Sequence, residues 1–217
     1  MQELLSNIPV ILISLLAFLL SISCHEFAHG YTAYKMGDLT AKVNGRLTLN
    51  PIKHFDVFAV IFFVVFRFGW AKGVPINPNN FKNPKHGMVY SALAGPVTNV
   101  ILAFLFAVVY GLLCKIPFAD ENILYHITYY SAVFSWQMIS VNAMLAVFNL
   151  FPIPPLDGSK IFLAVLPENT YFRVLEYDRY MMIVSLIVVY TGVLDRFIFT
   201  GVDKLIMIIE KIVGVIL

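Results

Sequence analysis

Long apolar runs are the feature of this sequence that most constrains its fold. Residues 8–24 read "IPVILISLLAFLLSISC", and further long apolar runs cover residues 87–114 and 123–150. About 20 apolar residues in a helix are enough to cross the hydrocarbon core of a bilayer. Only 13% of the residues are charged, about half of the roughly 25% that is typical of a soluble domain. We therefore predict an all-α, polytopic integral membrane protein with about four to six transmembrane helices.

The rest of the chain offers no sign of a second domain. No internal repeat or long linker divides residues 1–217, so we expect one membrane domain, with a C-terminal span and a tail helix within about 180–217. The tail, residues 201–217, carries charges among isoleucines, and we interpret it as an amphipathic surface helix rather than a last short span. The net charge of +2 is spread over loops, which argues against a nucleic-acid partner.

Two short elements are predicted between the first and second long runs. Val43, Leu47 and Leu49 alternate with polar residues, and this period of two predicts a short β-hairpin within residues 41–56. The apolar segment 57–69 is short for a full span, and a run of this length is more typical of a re-entrant element.

Charge supports the re-entrant interpretation. If residues 57–69 enter the membrane and return, all the basic residues that flank them lie on one face, which the positive-inside rule places in the cytoplasm. A prokaryotic cell membrane is expected from the compactness of the chain. The flanking basic residues are Lys35, Lys42, Arg46, Lys53, Arg67, Lys72, Lys82 and Lys85.

The strongest chemical signal is "HEFAH", residues 25–29, which follows the first apolar run. His25 and His29 are four residues apart and share one face of a helix, so both imidazoles can bind one Zn²⁺ ion. Glu26 is placed to take a proton from water that the metal activates. Each ionisable residue costs about 2.5–3.5 kcal/mol inside a membrane helix, so three together indicate a functional site. The alternative is that they lie beyond the bilayer edge and serve no chemistry.

A later segment can complete the zinc site. Hydrolytic zinc sites use three protein ligands and keep one position open, and "NLFPIPPLDGSK", residues 149–160, follows the third long run. Its three prolines must break the helix. Asp157 is either the third ligand or the N-cap of a helix that begins just after it. Asn149 is either an ordinary helix-end residue or a hydrogen-bond donor to a developing oxyanion.

These motifs resemble those of the site-2 protease family of intramembrane zinc metalloproteases. "HEFAH" in an early membrane helix, "GPVTN" in a middle one and "NLFPIPPLDG" in a later one stand in the order of that family. The short bacterial branch without PDZ or CBS domains is the nearest in pattern. The resemblance covers roughly residues 10–165, most of the predicted domain.

The resemblance implies a role for each candidate residue. It assigns His25, His29 and Asp157 as ligands of one zinc ion and Glu26 as the general base. It assigns Asn149 to holding the substrate or the oxyanion. The implied activity is that of a zinc-dependent intramembrane endopeptidase that acts on transmembrane proteins or peptides in contact with membrane lipid.

A substrate that leaves its helix needs new partners for its backbone. An extended edge in residues 43–49 or 70–76 is the candidate surface for such pairing, although a hairpin there can equally be structural only. His54 and His86 lie in basic loops and are interpreted as surface histidines rather than further ligands.

Three other functions remain open from the residues alone. A small ion or proton-coupled transporter also uses intramembrane His and Glu. Many transporter folds are built from inverted repeats, however, and none is detected in this sequence. A scaffold that binds zinc without catalysis requires a closed metal site. A zinc hydrolase that acts on lipid or on a prenylated tail fits the same motifs.

Overall fold

The structure is a computed structural model that describes residues 2–54, 72–117, 122–177, 181, 187–188 and 191–217. Within these residues the chain forms α-helices and two short 3₁₀ helices (Pro78–Asn80 and Leu163–Val165), and none of them forms a strand. The α-helices are α1 (Gln2–Lys35), α2 (Thr40–Val43), α3 (Pro51–His54), α4 (Pro84–Leu113), α5 (Ile123–Asn149), α6 (Asp157–Phe162), α7 (Glu168–Leu175) and α8 (Asp195–Ile216).

Three of the described helices are long and apolar enough to cross a membrane. They are Ile8–Lys35 within α1, and the whole of α4 and α5. They confirm the three longest helical runs predicted from the sequence. The re-entrant element predicted over 57–69 lies outside the described residues. So do residues 180, 182–186 and 189–190, on which the C-terminal span predicted within about 180–217 falls in part.

Local sequence explains where these helices begin and end. The Asn83 side chain accepts a hydrogen bond from the His86 backbone N–H at 3.0 Å and caps α4, and Asn122 caps α5 in the same way. Such caps satisfy backbone donors that the helix itself leaves unpaired. After α1, Gly37 has a φ of +111°, which L-residues rarely adopt and which ends the helix.

Small side chains let the long helices approach one another closely. The helix α4 packs against both α1 and α5. Buried alanines are found on all three helices, as is common where membrane helices pack without a hydrophobic driving force. They are Ala17, Ala33, Ala92, Ala103, Ala107, Ala143 and Ala146.

The tail helix α8 lies along α4 and α5. Ile209 and Val213 share a core cluster with residues of both helices, while Gly201 lies close against Val147 near the end of α5. Its charged residues are exposed, and so are apolar ones such as Ile208 and Ile212. The interpretation of the tail as a surface helix stays a prediction. The structure places one side of α8 against the bundle. The exposed charges are Asp203, Lys204, Glu210 and Lys211.

The predicted β-hairpin is not confirmed. The part of the chain described here has no strand, and residues 40–43 form the helix α2 instead. Side-chain hydrogen bonds replace the ladder that a hairpin would need, because the Arg46 guanidinium donates to the backbone carbonyls of Lys72 and Gly73. The alternation that predicted a strand does not correspond to a buried face, since Val43 is 81% exposed.

Like Arg46, the Asp38 side chain contacts the segment that begins at residue 72, and it connects this segment to the end of α1 by hydrogen bonds. Its carboxylate is fully buried and accepts hydrogen bonds from the Asn77 backbone N–H at 2.7 Å and from Asn80 Nδ2 at 2.7 Å. Thr40 donates both its backbone N–H and its hydroxyl. Burial alone would raise the pKa of Asp38, but these four hydrogen bonds outweigh it and hold that pKa below its ordinary value.

The Asp38→Asn variant should therefore be less stable than wild type at pH 7, by about 2 kcal/mol, because hydrogen bonds to a charged group are lost. A lowered pKa means that the carboxylate contributes its full stability above the ordinary pKa of about 3.9, and loses it as the pH falls through the lower folded-state pKa. Unfolding in detergent at several pH values should show the difference shrinking below about pH 4. Asp203→Asn, on the exposed side of α8, is the control, and a pH-independent difference for Asp38→Asn would contradict this account.

Candidate metal centre

The structure brings the three predicted metal ligands together. The Nε2 atoms of His25 and His29, one turn apart on α1, lie 2.9 Å from each other. Asp157 Oδ2 lies 3.2 Å from the first nitrogen and 3.1 Å from the second. All three side chains are buried. Among the residues that the structure describes, this is the one cluster of three or more His, Cys, Asp or Glu side chains placed to share an ion.

Asp157 reaches the cluster because the chain folds back sharply after α5. It is the first residue of α6, and the N-cap position belongs to Leu156, so the alternative role of Asp157 as a cap is not what the structure shows. A Cβ on Gly158 would lie 2.3 Å from the backbone oxygens of Leu150 and Phe151, and this close approach requires glycine. Lys160 Nζ lies 3.2 Å from Asp157 Oδ1, which leaves Oδ2 directed at the imidazoles.

The donor set fits a cation. His29 Nδ1 lies 2.6 Å from the Ser91 carbonyl oxygen, which can only accept, so Nδ1 is the protonated nitrogen. His25 Nδ1 lies 2.5 Å from Asn99 Oδ1 and is a donor in the same way. In neutral rings both Nε2 atoms then present lone pairs to each other and to the carboxylate. A metal ion stabilises such an arrangement.

The distances suit zinc in particular. Tetrahedral zinc binds nitrogen and oxygen ligands at about 2.0–2.2 Å, which places ligand atoms about 3.3 Å from one another. The three separations here, 2.9, 3.1 and 3.2 Å, are within a few tenths of an ångström of that value. Two imidazoles and one carboxylate also form the ligand set of known hydrolytic zinc sites, which keep a fourth position for water or substrate.

The "GPVTN" motif on α4 forms one wall of the site. A Cβ on Gly95 would lie 2.5 Å from the Cε1 atoms of both His25 and His29, so glycine alone leaves room for the two rings. Sequence reasoning noted the motif but assigned no role to Ser91, Gly95 or Asn99. Their spacing of four residues, the same as in "HEFAH", places them on one helix face and is the signal that could have identified them.

Glu26, which follows the predicted ligand His25 in the chain, is buried. Its Oε2 accepts a hydrogen bond from the Val74 backbone N–H at 2.7 Å, and it is not part of the cluster of three ligands. The Glu26 carboxylate is therefore held by the Val74 backbone and is not one of the three groups placed to share an ion. The contact with Val74 comes from the segment that Asp38 and Arg46 hold against α1.

Asn149, the last residue of α5, is half-buried. Its Nδ2 donates to the Leu145 carbonyl of its own helix at 3.0 Å. This contact is what an ordinary helix-end residue makes. It uses one of the two N–H groups of the amide.

The two other histidines considered in the sequence differ from each other. The prediction that His54 lies on the surface is wrong, because its side chain is fully buried and its Nε2 donates to the Thr48 carbonyl at 2.7 Å. His86 is exposed, as predicted. Neither belongs to the metal-ligand cluster.

Known proteins share this sequence pattern. The model of "Peptidase family M50" matches residues 125–194, which include most of α5 and Asp157. A protein of Bacillus subtilis (strain 168) named "Putative zinc metalloprotease YwhC" is 41% identical over 188 residues, covering 86% of this chain and 83% of that protein. The chain belongs to peptidase family M50. This is the site-2 protease family, so the resemblance stated from the motifs is confirmed.

More distant relatives of this M50 protein carry similar names. "Putative zinc metalloprotease Rip2" of Mycolicibacterium smegmatis is 28% identical over 200 residues, covering 90% of this chain and 73% of that protein. "Putative zinc metalloprotease MJ0611" of Methanocaldococcus jannaschii is 33% identical over 156 residues, covering 71% of each. No solved structure matches the chain significantly. Family membership makes the chain a metalloprotease and argues against the transporter alternative.

The Gly95→Ala variant should lose metal affinity, because its Cβ would displace both imidazoles from their present positions. Displacing a ligand costs at least the 10–100-fold in metal affinity that is typical of lost outer contacts. Gly214→Ala on α8 is the matched control, since a Cβ there meets nothing within 4 Å. Zinc titration of the purified variants in detergent measures the effect. Equal affinities for the two variants would contradict the proposed position of the site.

Proposed function

We propose that this M50 protein is a zinc-dependent intramembrane endopeptidase that cleaves transmembrane segments of membrane-anchored proteins. The observation that carries the proposal is the meeting of His25, His29 and Asp157 on and beside a helix apolar enough to cross a membrane. Buried ionisable groups in such a helix are costly and mark functional sites. Relatives whose names say zinc metalloprotease support the same assignment.

The chain supplies the proton transfers through Glu26. Zinc, when bound, supplies a Lewis acid that polarises the scissile carbonyl and makes water reactive near neutral pH. Glu26 takes a proton from the attacking water and later gives it to the leaving amine nitrogen. Its position beside His25 and its hydrogen bond from the Val74 N–H favour this role, because a base must be held in a fixed orientation toward the proton it removes.

Asn149 is proposed to bind the oxyanion or the substrate backbone. One amide N–H is used by the Leu145 carbonyl, and an amide carries two. The second can donate to oxygen as negative charge develops on it. Asn149 lies at the end of α5, just before the turn that brings Asp157 to the histidines.

The substrate is expected to unwind before it is cut. In a transmembrane helix each peptide carbonyl is already hydrogen-bonded and shielded, and lipid offers no replacement partner. Residues 43–49 and 70–76 remain the candidate surfaces for an extended substrate, although the described residues of neither segment form a strand. We place the basic loops in the cytoplasm of a prokaryotic cell, on the positive-inside rule and the bacterial and archaeal sources of the relatives.

The Glu26→Gln variant tests the proposed activity. It should retain zinc, because Glu26 is not one of the three converging ligands, and it should lose about 10²–10⁴-fold in cleavage rate, the usual contribution of a general base. The assay incubates zinc-loaded protein in detergent with single-span model substrates, with and without a chelator, and locates the cut by mass spectrometry.

The matched control is Glu168→Gln, which makes the same change at an exposed position on α7. It should cleave at the wild-type rate. Full activity in Glu26→Gln refutes the base assignment. Cleavage by wild type that survives complete removal of zinc refutes the metal-dependent mechanism.

A further inference from the structure

A line of buried amides leads from the metal site across the bundle. Asn99 on α4, Asn142 on α5 and Ser21 on α1 are all fully buried. His25 Nδ1 lies 2.5 Å from Asn99 Oδ1, and Asn99 Nδ2 donates to Asn142 Oδ1 at 2.7 Å. Asn142 Nδ2 donates in turn to Ser21 Oγ at 2.8 Å and to the Met138 carbonyl at 2.7 Å. One metal ligand is therefore connected to all three long helices.

The Met138 carbonyl, at the end of this line away from His25, determines which group of each amide donates and which accepts. The Met138 carbonyl can only accept, so Asn142 must present its N–H to it and its oxygen to Asn99. Asn99 must then donate to that oxygen and present its own oxygen to His25. If Asn142 were turned round, its side-chain oxygen would lie 2.7 Å from the Met138 carbonyl oxygen, and two acceptors at that distance repel each other.

We propose that Asn142, acting through Asn99, is a positioning residue that sets the tautomer of His25. The hydrogen bonds from Asn142 through Asn99 to His25 form a relay. This relay keeps the proton of the His25 ring on Nδ1 and the lone pair on Nε2, the atom that faces His29 and Asp157. Ligating histidines generally need such a partner on their other nitrogen. The relay rests on the proposed zinc site, but it does not depend on Glu26 or on cleavage of any substrate.

Buried amides can also hold membrane helices together without any effect on a metal. Hydrogen bonds between such helices contribute about 0.6 kcal/mol on average. That purely structural role predicts a loss of stability in the variants with no change in zinc affinity. The relay predicts a loss of zinc affinity beyond what any loss of stability explains, because an unconstrained Asn99 can turn and favour the wrong tautomer.

Asn142→Leu removes the amide and keeps a side chain of similar size. It should weaken zinc binding about tenfold, and Asn99→Leu about 10–100-fold, the range for lost outer contacts to a metal ligand. Ser21→Ala leaves the Met138 carbonyl as the anchor and should change the affinity by less than about twofold. Competition with a chromophoric zinc chelator, using the full chain in detergent, measures all three.

The control is Ser135→Ala, which also removes a buried polar group from α5. The Ser135 hydroxyl donates to the Ser131 carbonyl of the same helix at 2.8 Å, and no other described residue is its hydrogen-bond partner. Zinc should bind this variant as tightly as wild type. Equal zinc affinities for Asn142→Leu and Ser135→Ala would overturn the relay and leave the amides as structural contacts.

A measurement on wild type alone keeps the relay testable if a variant does not fold. Nitrogen-15 spectra of the histidine-labelled, zinc-free protein report which ring nitrogen carries the proton, and the His25 signal is assigned by its absence in His25→Gln. The relay predicts a proton on His25 Nδ1, and a ring that carries its proton on Nε2 alone overturns it. A wild type that binds no zinc overturns both the relay and the proposed metal site, whereas an active Glu26→Gln affects only the proposed base.

Discussion

Two imidazole lone pairs and a carboxylate oxygen face one another within 3.2 Å in this protein. All three side chains are buried between helices of membrane length, so they have lost the hydration that such groups keep in water. A cation bound among them offsets both their mutual repulsion and the loss of hydration. The need to bring these atoms together and to bind a metal there explains much of the local structure around the site.

The surrounding backbone is shaped to permit that convergence. Gly95 lets α4 approach the two imidazoles, and Gly158 lets the chain fold back so closely that a side chain would meet backbone oxygens. The prolines between α5 and α6 prevent the helix from continuing, and the chain then turns so that Asp157 lies against α1. On the other side, Asp38 holds the segment whose Val74 N–H contacts Glu26. The segment that contacts Glu26 is thus different from the segments that make room for the predicted ligands.

Local helical periodicity predicted the three long helices, whereas the alternation in residues 41–56 predicted a hairpin that is not confirmed, and contacts between distant residues gave no signal in the sequence. The i, i+4 spacing of His25 and His29 was sufficient to place both on one face. Asp157 was equally compatible with a cap, because the path of the chain through three prolines has no periodic signal. Asn142 is a single amide in an apolar run, and its partner Asn99 lies 43 residues earlier, so only the packed structure could reveal their contact.

The zinc ion itself offers the most direct test, through X-ray absorption at the zinc edge of the loaded protein in detergent. The account predicts a shell of nitrogen and oxygen at about 2.0–2.2 Å, with the outer scattering of two imidazoles. In Asp157→Ala the same spectrum should lose an oxygen ligand or the zinc altogether. The chain has two cysteines, Cys24 and Cys114, and a sulfur shell at about 2.3 Å would contradict the account, as would imidazole scattering that persists in a His25→Ala, His29→Ala double variant.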